Sequence, residues 1–123
     1  LCICSLNSTE SFGLVQIEAM RNGVPVAACN LPGVRQPVTM TGMGEVTAVG
    51  DDAALAEALI RILRDRDAYR RPAAAISDSF SPDQTAAEYM RLFESLRRGH
   101  RPSRTTEPTA YERLRELGLG IRG

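Results

Sequence analysis

Two glutamates separated by seven residues are the part of this sequence that best fits a binding or catalytic site. Glu10 lies in a polar loop after an apolar segment, and Glu18 lies within the next predicted helix. Between them, residues 12–14 fall at the start of that helix, where unpaired backbone amides and the helix dipole favour an anion. Gly13 allows a phosphate to approach the backbone closely.

The order of these groups fits a ligand that carries a phosphate group between two sugar rings. Carboxylates accept hydrogen bonds from hydroxyls and repel phosphates, so we expect Glu10 and Glu18 to contact sugars on either side of the charge. A polar loop followed by an amphipathic helix explains the same residues, because two glutamates at this spacing are common. Spacing alone leaves both interpretations open.

The elements around this segment predict a parallel sheet. Residues 1–5 and 24–29 are short apolar runs, and residues 13–22 between them have helical spacing that ends at Gly23. Strand, helix and strand joined by short loops form a βαβ unit, whose strands are parallel and whose ligands bind at their carboxyl ends. The predicted fold class is therefore α/β, a Rossmann-like parallel sheet with flanking helices.

Further elements follow as far as residue 98. The pattern predicts a strand over 45–49, a helix over 53–66 capped by Asp51 or Asp52, and a helix over 67–79 that starts or bends at Pro72. Ser81 begins a capping box for a helix ending near Arg98. Residues 34–40 have no clear type. Helical spacing predicts that these side chains face the core: Leu14, Val15, Ile17, Met20, Leu55, Leu59, Ile62, Leu63, Ala87, Met90, Leu92 or Phe93, and Leu96.

The sequence divides into a domain over residues 1–98 and a tail over residues 99–123. Residues 99–108 contain no large aliphatic side chain, which predicts a linker or disordered segment, with a short helix near residues 110–118. His100 and the arginines beside it are interpreted as solvated residues. The three cysteines, Cys2, Cys4 and Cys29, are predicted to be small buried residues in a reducing compartment, without a disulfide or a metal.

Composition excludes several classes of function. All 15 basic residues of the 123-residue chain are arginine, and they balance 15 acidic residues. This balance argues against a general nucleic-acid binder, which needs a basic excess. The lack of lysine excludes Schiff-base chemistry and a Walker-type phosphate loop within this chain. No apolar run is long enough for a transmembrane helix.

Residues 7–29, NSTESFGLVQIEAMRNGVPVAAC, closely resemble the E-x7-E signature of retaining GT-B glycosyltransferases of the group 1, or family 4, type. That signature reads roughly E-G-F-G-L-x-x-x-E-A-M-A-x-G-x-P-V-V-A. The matching positions are Glu10, Phe12, Gly13, Leu14, Glu18, Ala19, Met20, Gly23, Pro25, Val26 and Ala28. The resemblance extends more weakly to about residue 97. It departs at Ser11, where the family usually has Gly, and near Gln36, where members often carry Glu.

The resemblance implies a partial C-terminal domain of a GT-B fold that binds a nucleotide-diphosphate sugar as donor. Glu10 would contact hydroxyls of the transferred sugar and is the residue assigned to catalysis. Glu18 would accept hydrogen bonds from the ribose hydroxyls. The donor-binding residues between them are Ser11, Phe12, Gly13, Leu14 and Val15. The family generally works without a bound metal, and no cofactor is expected.

The same resemblance implies that this chain is part of a longer enzyme. The family's arginine and lysine that neutralise the diphosphate lie upstream of this segment, as does the N-terminal domain that binds the acceptor. We therefore expect a fragment without activity of its own. We expect a cytoplasmic protein with no signal peptide. Some relatives act at membranes on lipid-linked acceptors, so the inner membrane face stays open, although no amphipathic segment requires it.

Two other functions remain alternatives. A nucleotide-sugar epimerase-type isomerase can share the two-domain architecture, but the E-x7-E run followed by EAM-x-x-G-x-P-V disfavours it. A non-catalytic module that binds a nucleotide or a protein partner is the other alternative. A dinucleotide-dependent dehydrogenase ranks lower, because the sequence lacks G-x-G-x-x-G.

Overall fold

The computed structural model describes residues 1–7, 9–99 and 114–118. Three parallel strands form a sheet in the order β1 (Cys2–Ile3), β2 (Val26–Cys29), β3 (Gly44–Thr47). Ala28 of β2 pairs with Ile3 on one side and with Val46 on the other. The predicted α/β fold with a parallel sheet is confirmed, and each paired segment is shorter than its apolar run.

The described residues also form five α-helices, one 3-10 helix and a helical segment at residues 114–116. The helices are α1 (Leu14–Arg21), α2 (Gln36–Thr41), α3 (Asp52–Arg64), α4 (Ala73–Ser79) and α5 (Pro82–Arg97), and the 3-10 helix is Arg66–Tyr69. The segment of unclear type, residues 34–40, therefore forms most of α2. The predicted break at Pro72 is confirmed, because Pro72 directly precedes α4 and the 3-10 helix ends before it.

The hydrophobic core is centred on β2, all of whose residues are buried. Side chains of α1, α2 and α4 pack with β2, and Leu114 is fully buried with them. The cluster contains Ile17, Met20, Val26, Ala28, Cys29, Val34, Val38, Met43, Ile76 and Leu114. Ala58 and Ile62 of α3 are buried outside this cluster, and α3 contacts β2 and β3. The sheet is thus covered by helices, which holds β2 rigidly between its neighbours.

Side chains cap the helices close to the predicted positions. A carboxylate oxygen of Asp51 accepts a hydrogen bond from the Ala54 amide at 2.9 Å, so Asp51 is the cap of α3. The Ser81 hydroxyl accepts a hydrogen bond from the Asp83 amide at 3.2 Å, one residue earlier than a capping box ending at Gln84 requires. Both helices therefore start where the sequence indicated.

Several predictions of burial are wrong, and they share a physical cause. Four of the residues of α5 predicted to face the core are exposed, and Leu92 is half-buried; the exposed ones are Ala87, Met90, Phe93 and Leu96. Leu63 of α3 is exposed as well. Leu14 and Val15 are exposed at the start of α1, whereas Ile17 and Met20 are buried. Helical spacing shows which residues share a face, but burial needs another element over that face, and the described part of the chain supplies none there.

The cysteine prediction is partly wrong. Cys29 of central β2 is buried, but Cys2 and Cys4 are exposed, because β1 is the outer strand of the described sheet. Their Sγ atoms lie 3.5 Å apart. Most of the predicted tail, including His100, lies outside the described residues, so the boundary at residue 98 stays a prediction. No helix within residues 1–7, 9–99 and 114–118 is long and apolar enough to cross a membrane.

Candidate functional site

The loops that follow the three strands meet at one edge of the sheet. Because β1, β2 and β3 are parallel, residues 4–7 and 9–13, 30–35 and 48–51 all follow the carboxyl ends of the strands. This is the edge at which open α/β sheets bind ligands. The segment with Glu10 and Glu18 begins there, since it forms the first loop and α1.

The start of α1 presents amides without partners. Gly13 is the cap residue and adopts φ 73° and ψ 66°, a left-handed conformation that favours glycine. No side chain caps the helix, and its first turn carries no acidic residue. Among the described residues, the backbone N–H groups of Gly13, Leu14 and Val15 donate no hydrogen bond. An anion is therefore a suitable partner for this turn.

The two glutamates are exposed and uncommitted. Neither the Glu10 nor the Glu18 carboxylate forms a hydrogen bond or an ion pair within the described part of the chain. One lies in the loop before the open amides, and the other lies in the second turn of α1. Both are free to accept hydrogen bonds from hydroxyl groups of a ligand. Ser11 is exposed beside Glu10.

Phe12 anchors the loop to the rest of the molecule. Its ring is half-buried and lies 6.3 Å from the Phe80 ring, measured between centroids, in a tilted arrangement. Aromatic pairs in this range contribute beyond the area they bury. The contact connects the loop after β1 to the residue that directly follows α4.

Sequence reasoning missed Gln16. Its side chain is fully buried, and Nε2 donates hydrogen bonds to the carbonyl oxygens of Phe12 at 3.1 Å and Val34 at 2.9 Å. It thereby joins the loop after β1 to the loop after β2. A signal was present, since Gln16 shares the inward face of α1 with Ile17 and Met20, where a polar residue needs a partner.

A second feature of the same edge is a small open pocket of about 30 Å³ between the strand ends and the start of α3. Cys4, Cys29 and Thr47 line it together with the carboxylate-bearing Asp51 and Asp52. None of the predicted site residues lines this pocket. Two acidic residues disfavour a diphosphate, so the pocket does not fit the expected donor. Within the described residues, no group of three histidine, cysteine or acidic side chains is arranged to hold a metal.

A third carboxylate, Glu45 of β3, is fully engaged in structure. Arg61 donates to it from Nη2 at 2.6 Å and from Nε at 3.0 Å, and the Tyr69 hydroxyl donates at 2.5 Å. The hydrogen bond from Arg61 lowers the pKa of Glu45, although partial burial opposes it. The hydrogen bond to Glu45 raises the pKa of Tyr69 to about 12. This cluster joins β3, α3 and the 3-10 helix, and none of its members belongs to the predicted site.

The parallel sheet and its flanking helices define an α/β protein, a class in which ligands commonly bind at the carboxyl ends of the strands. The chain belongs to the family of glycosyl transferases group 1, which it matches over residues 1–78. This range includes Glu10, Glu18 and the turn between them.

Three curated relatives illustrate the similarity. The chain is 36% identical over 90 residues to a phosphatidyl-myo-inositol mannosyltransferase of Mycobacterium leprae (strain TN), covering 71% of this chain and 24% of the relative. It is 28% identical over 97 residues to an N-acetyl-alpha-D-glucosaminyl L-malate synthase of Bacillus anthracis, covering 76% and 26%. It is 33% identical over 93 residues to a D-inositol 3-phosphate glycosyltransferase of Corynebacterium urealyticum (strain ATCC 43042 / DSM 7109), covering 73% and 22%.

The chain spans about a quarter of the length of these curated relatives. No solved structure matches it significantly. The family is therefore established by sequence, and the geometry of the site comes from this structure.

Proposed function

We propose that this chain supplies the donor-binding part of a retaining GT-B glycosyltransferase, which moves a sugar from a nucleotide-diphosphate sugar to an acceptor. The observation that carries the proposal is the unpartnered start of α1 between two uncommitted carboxylates, within the part of the chain that matches the family. A donor of this class presents a sugar, two phosphates and a ribose in that order, which fits hydroxyl acceptors on either side of an anion-binding turn.

Each group has a separate role in this proposal. The amides of Gly13, Leu14 and Val15 bind the diphosphate and stabilise the negative charge that grows on it as the sugar leaves. Glu10 contacts hydroxyls of the transferred sugar and acts as the catalytic residue. Glu18 accepts hydrogen bonds from the ribose. No cofactor is proposed, in keeping with the family resemblance.

The rest of the catalytic centre is proposed to lie outside this chain. Positive charge is needed to neutralise a diphosphate, and the chain has no lysine and no net charge. A further N-terminal domain would supply those cations and bind the acceptor, in keeping with the quarter of the relatives' length that this chain spans. We assign the assembled enzyme to the cytoplasm, where its free cysteines stay reduced.

The alternatives lack a comparable observation. The relatives are named as transferases and a synthase, and none is named as an epimerase. A non-catalytic module has no feature of the site in its favour.

The experiment uses the complete product of the gene that encodes this chain. It is incubated with a panel of nucleotide-diphosphate sugars that differ in base and sugar, and the first sugar product released is examined by NMR. The proposal expects one donor to be turned over with its anomeric configuration kept. Inversion would contradict the retaining mechanism, and no turnover of any donor would contradict the assignment as a whole.

A further inference from the structure

We propose that Gln16 is a positioning residue that turns the Gly13 amide toward the donor diphosphate. This inference rests on the proposed function and deepens it, because it names the side chain that orients the anion-binding turn. Gln16 itself does not contact the donor, since its side chain is fully buried. It acts through the peptide bond between Phe12 and Gly13.

The orientation of the Gln16 amide is fixed by its partners. Nε2 lies 3.1 Å from the Phe12 carbonyl oxygen and 2.9 Å from the Val34 carbonyl oxygen. Both partners only accept hydrogen bonds, so the nitrogen must face them and the oxygen cannot. The remaining atom, Oε1, is buried and has no hydrogen-bond partner within residues 1–7, 9–99 and 114–118. Gln16 keeps the two hydrogen bonds that Nε2 donates, even though leaving the buried Oε1 unpaired costs free energy.

The peptide geometry passes this constraint to the site. The carbonyl of Phe12 and the N–H of Gly13 belong to one planar trans peptide, so they point in opposite directions. Gln16 holds the carbonyl on its own side, so the N–H of Gly13, a buried residue, points away from the Gln16 side chain. That N–H donates no hydrogen bond to the described residues. Its direction is therefore set by Gln16, while its donor capacity stays available for an anion.

The loop after β1 and the loop after β2 are packed closely against each other. A Cβ atom added at Gly13 would lie 2.8 Å from Nε2 of Gln16, and one added at Gly33 would lie 1.4 Å from the Ser11 carbonyl oxygen. The loop after β1 thus touches the loop after β2 at its backbone as well as through Gln16. Both contacts lie next to the turn, and together they fix its place relative to the sheet.

Two variants separate positioning from a general loss of stability. Gln16→Leu removes both hydrogen bonds and replaces the side chain with an apolar one of similar size. Gln16→Glu keeps the shape and changes the donor capacity with pH, because a neutral carboxyl group donates one hydrogen bond and a carboxylate donates none. Gln84→Glu is the matched control, since Gln84 is exposed on α5 and receives the same charge.

Binding is measured by calorimetry on the complete gene product, using UDP and GDP and the nucleosides uridine and guanosine. For whichever diphosphate the wild type binds, Gln16→Leu is expected to weaken affinity about 10- to 100-fold, because one oriented bond to a charged group is lost. The affinity for the nucleoside should change less than about twofold, since a nucleoside has no phosphates. Gln16→Glu should bind the diphosphate better at pH 5 than at pH 8, relative to Gln84→Glu.

Equal losses for diphosphate and nucleoside would overturn the inference, as would a pH profile of Gln16→Glu that matches the control. Amide hydrogen exchange over residues 12–16 provides an independent measurement without ligand. Faster exchange there in Gln16→Leu, with exchange in α3 unchanged, supports the positioning role, and unchanged exchange contradicts it. If the wild type binds neither UDP nor GDP, ADP and dTDP are tested in the same way. The proposed function fails if no nucleoside diphosphate binds, whereas the exchange result still decides whether Gln16 orients the turn.

Discussion

At the scale of single residues, a carboxylate's partners distinguish structure from function. Glu45 is held by Arg61 and Tyr69, whereas Glu10 and Glu18 have no partner among the described residues. A carboxylate that is exposed and uncommitted costs nothing to keep and is ready to accept a ligand hydroxyl. The contrast supports a site role for Glu10 and Glu18 that spacing alone leaves open.

Glu10 is expected to affect turnover more than nucleotide binding. In the complete gene product, Glu10→Gln should lower kcat about 10- to 100-fold through loss of a charged hydrogen bond to the transferred sugar. Affinity for the nucleoside diphosphate, which lacks that sugar, should stay within about twofold of the wild type. Steady-state kinetics and calorimetry give the two values. Glu57→Gln, at an exposed position of α3, is the control. A large loss of nucleoside diphosphate affinity in Glu10→Gln would contradict the assigned role.

The residues of the proposed site differ in how readily the sequence indicates them. Glu10, Gly13 and Glu18 were predicted from their types and spacing together with the resemblance. Gln16 was missed because one of its partners, the Val34 carbonyl, lies 18 residues away along the chain. Sequence shows that a polar side chain lies on an apolar face, but only tertiary structure shows which carbonyl it reaches.

At the scale of elements, helix starts were predicted well because their signals are local. Asp51 caps α3 through a hydrogen bond within three residues, and Ser81 with Pro82 begins α5. Burial was predicted less well, since it depends on elements distant in sequence. The exposed face of α5, with Met90 60% and Phe93 58% exposed, is the clearest example.

The cap of α3 gives a stability prediction. Asp51→Ala should lower the free energy of unfolding of the chain by about 1 kcal/mol, because the Ala54 amide loses its acceptor. Asp51→Asn should retain most of the stability, since its side-chain oxygen can still cap. Urea unfolding followed by circular dichroism measures both. An equal loss in Asp52→Ala, which caps nothing, would show that charge rather than capping is responsible.

The cluster around Glu45 gives a pH-dependence prediction. Its hydrogen bond raises the pKa of Tyr69 from 10.0 to about 12, so the hydroxyl's contribution is complete below pH 10 and is lost as pH rises through 12. The lowered pKa of Glu45 acts at the other end, where its contribution is lost as pH falls below the ordinary value of 4.5. Together these two shifts favour the folded state between the acid and alkaline ranges.

Tyr69→Phe should therefore be less stable than the wild type by about 1 kcal/mol at pH 8. The difference should shrink between pH 10 and 12, as the wild-type hydroxyl ionises. Denaturant unfolding at several pH values gives the comparison. Tyr89→Phe on exposed α5 is the control, and a Tyr69→Phe difference that stays constant up to pH 12 would contradict the role of the hydrogen bond.

At the scale of the whole molecule, the parallel sheet of the described residues positions the proposed site at its carboxyl edge. β2 is central and completely buried, and the cluster around it contains Met20 of α1. The core thus fixes α1, whose start carries the proposed anion-binding turn. The α/β class could be predicted from the sequence because strand, helix and strand follow one another at short spacing. The exposed helix faces could not be predicted, because burial depends on which other elements pack against them.

Met20 tests the link between core and site. Met20→Ala should lower the free energy of unfolding by about 2–5 kcal/mol, since Met20 is fully buried and the substitution leaves a cavity. Met90→Ala, at an exposed position of α5, should cost less than about 0.5 kcal/mol. Both are measured by denaturant unfolding. Similar costs for the two variants would contradict the described core.

The central claim is that Glu18 accepts hydrogen bonds from the ribose of a nucleotide-diphosphate donor. Calorimetry on the complete gene product tests it with a nucleoside diphosphate and its 2′-deoxy and 3′-deoxy analogues. Glu18→Ala should weaken nucleoside diphosphate binding about 10- to 150-fold, through loss of about 1.5–3 kcal/mol.

The wild type should bind the deoxy analogues more weakly than the nucleoside diphosphate, whereas Glu18→Ala should bind all three with equal affinity. Glu57→Ala is the control and should behave as the wild type. Unchanged nucleoside diphosphate affinity in Glu18→Ala, or a variant that still distinguishes the deoxy analogues, would contradict the account.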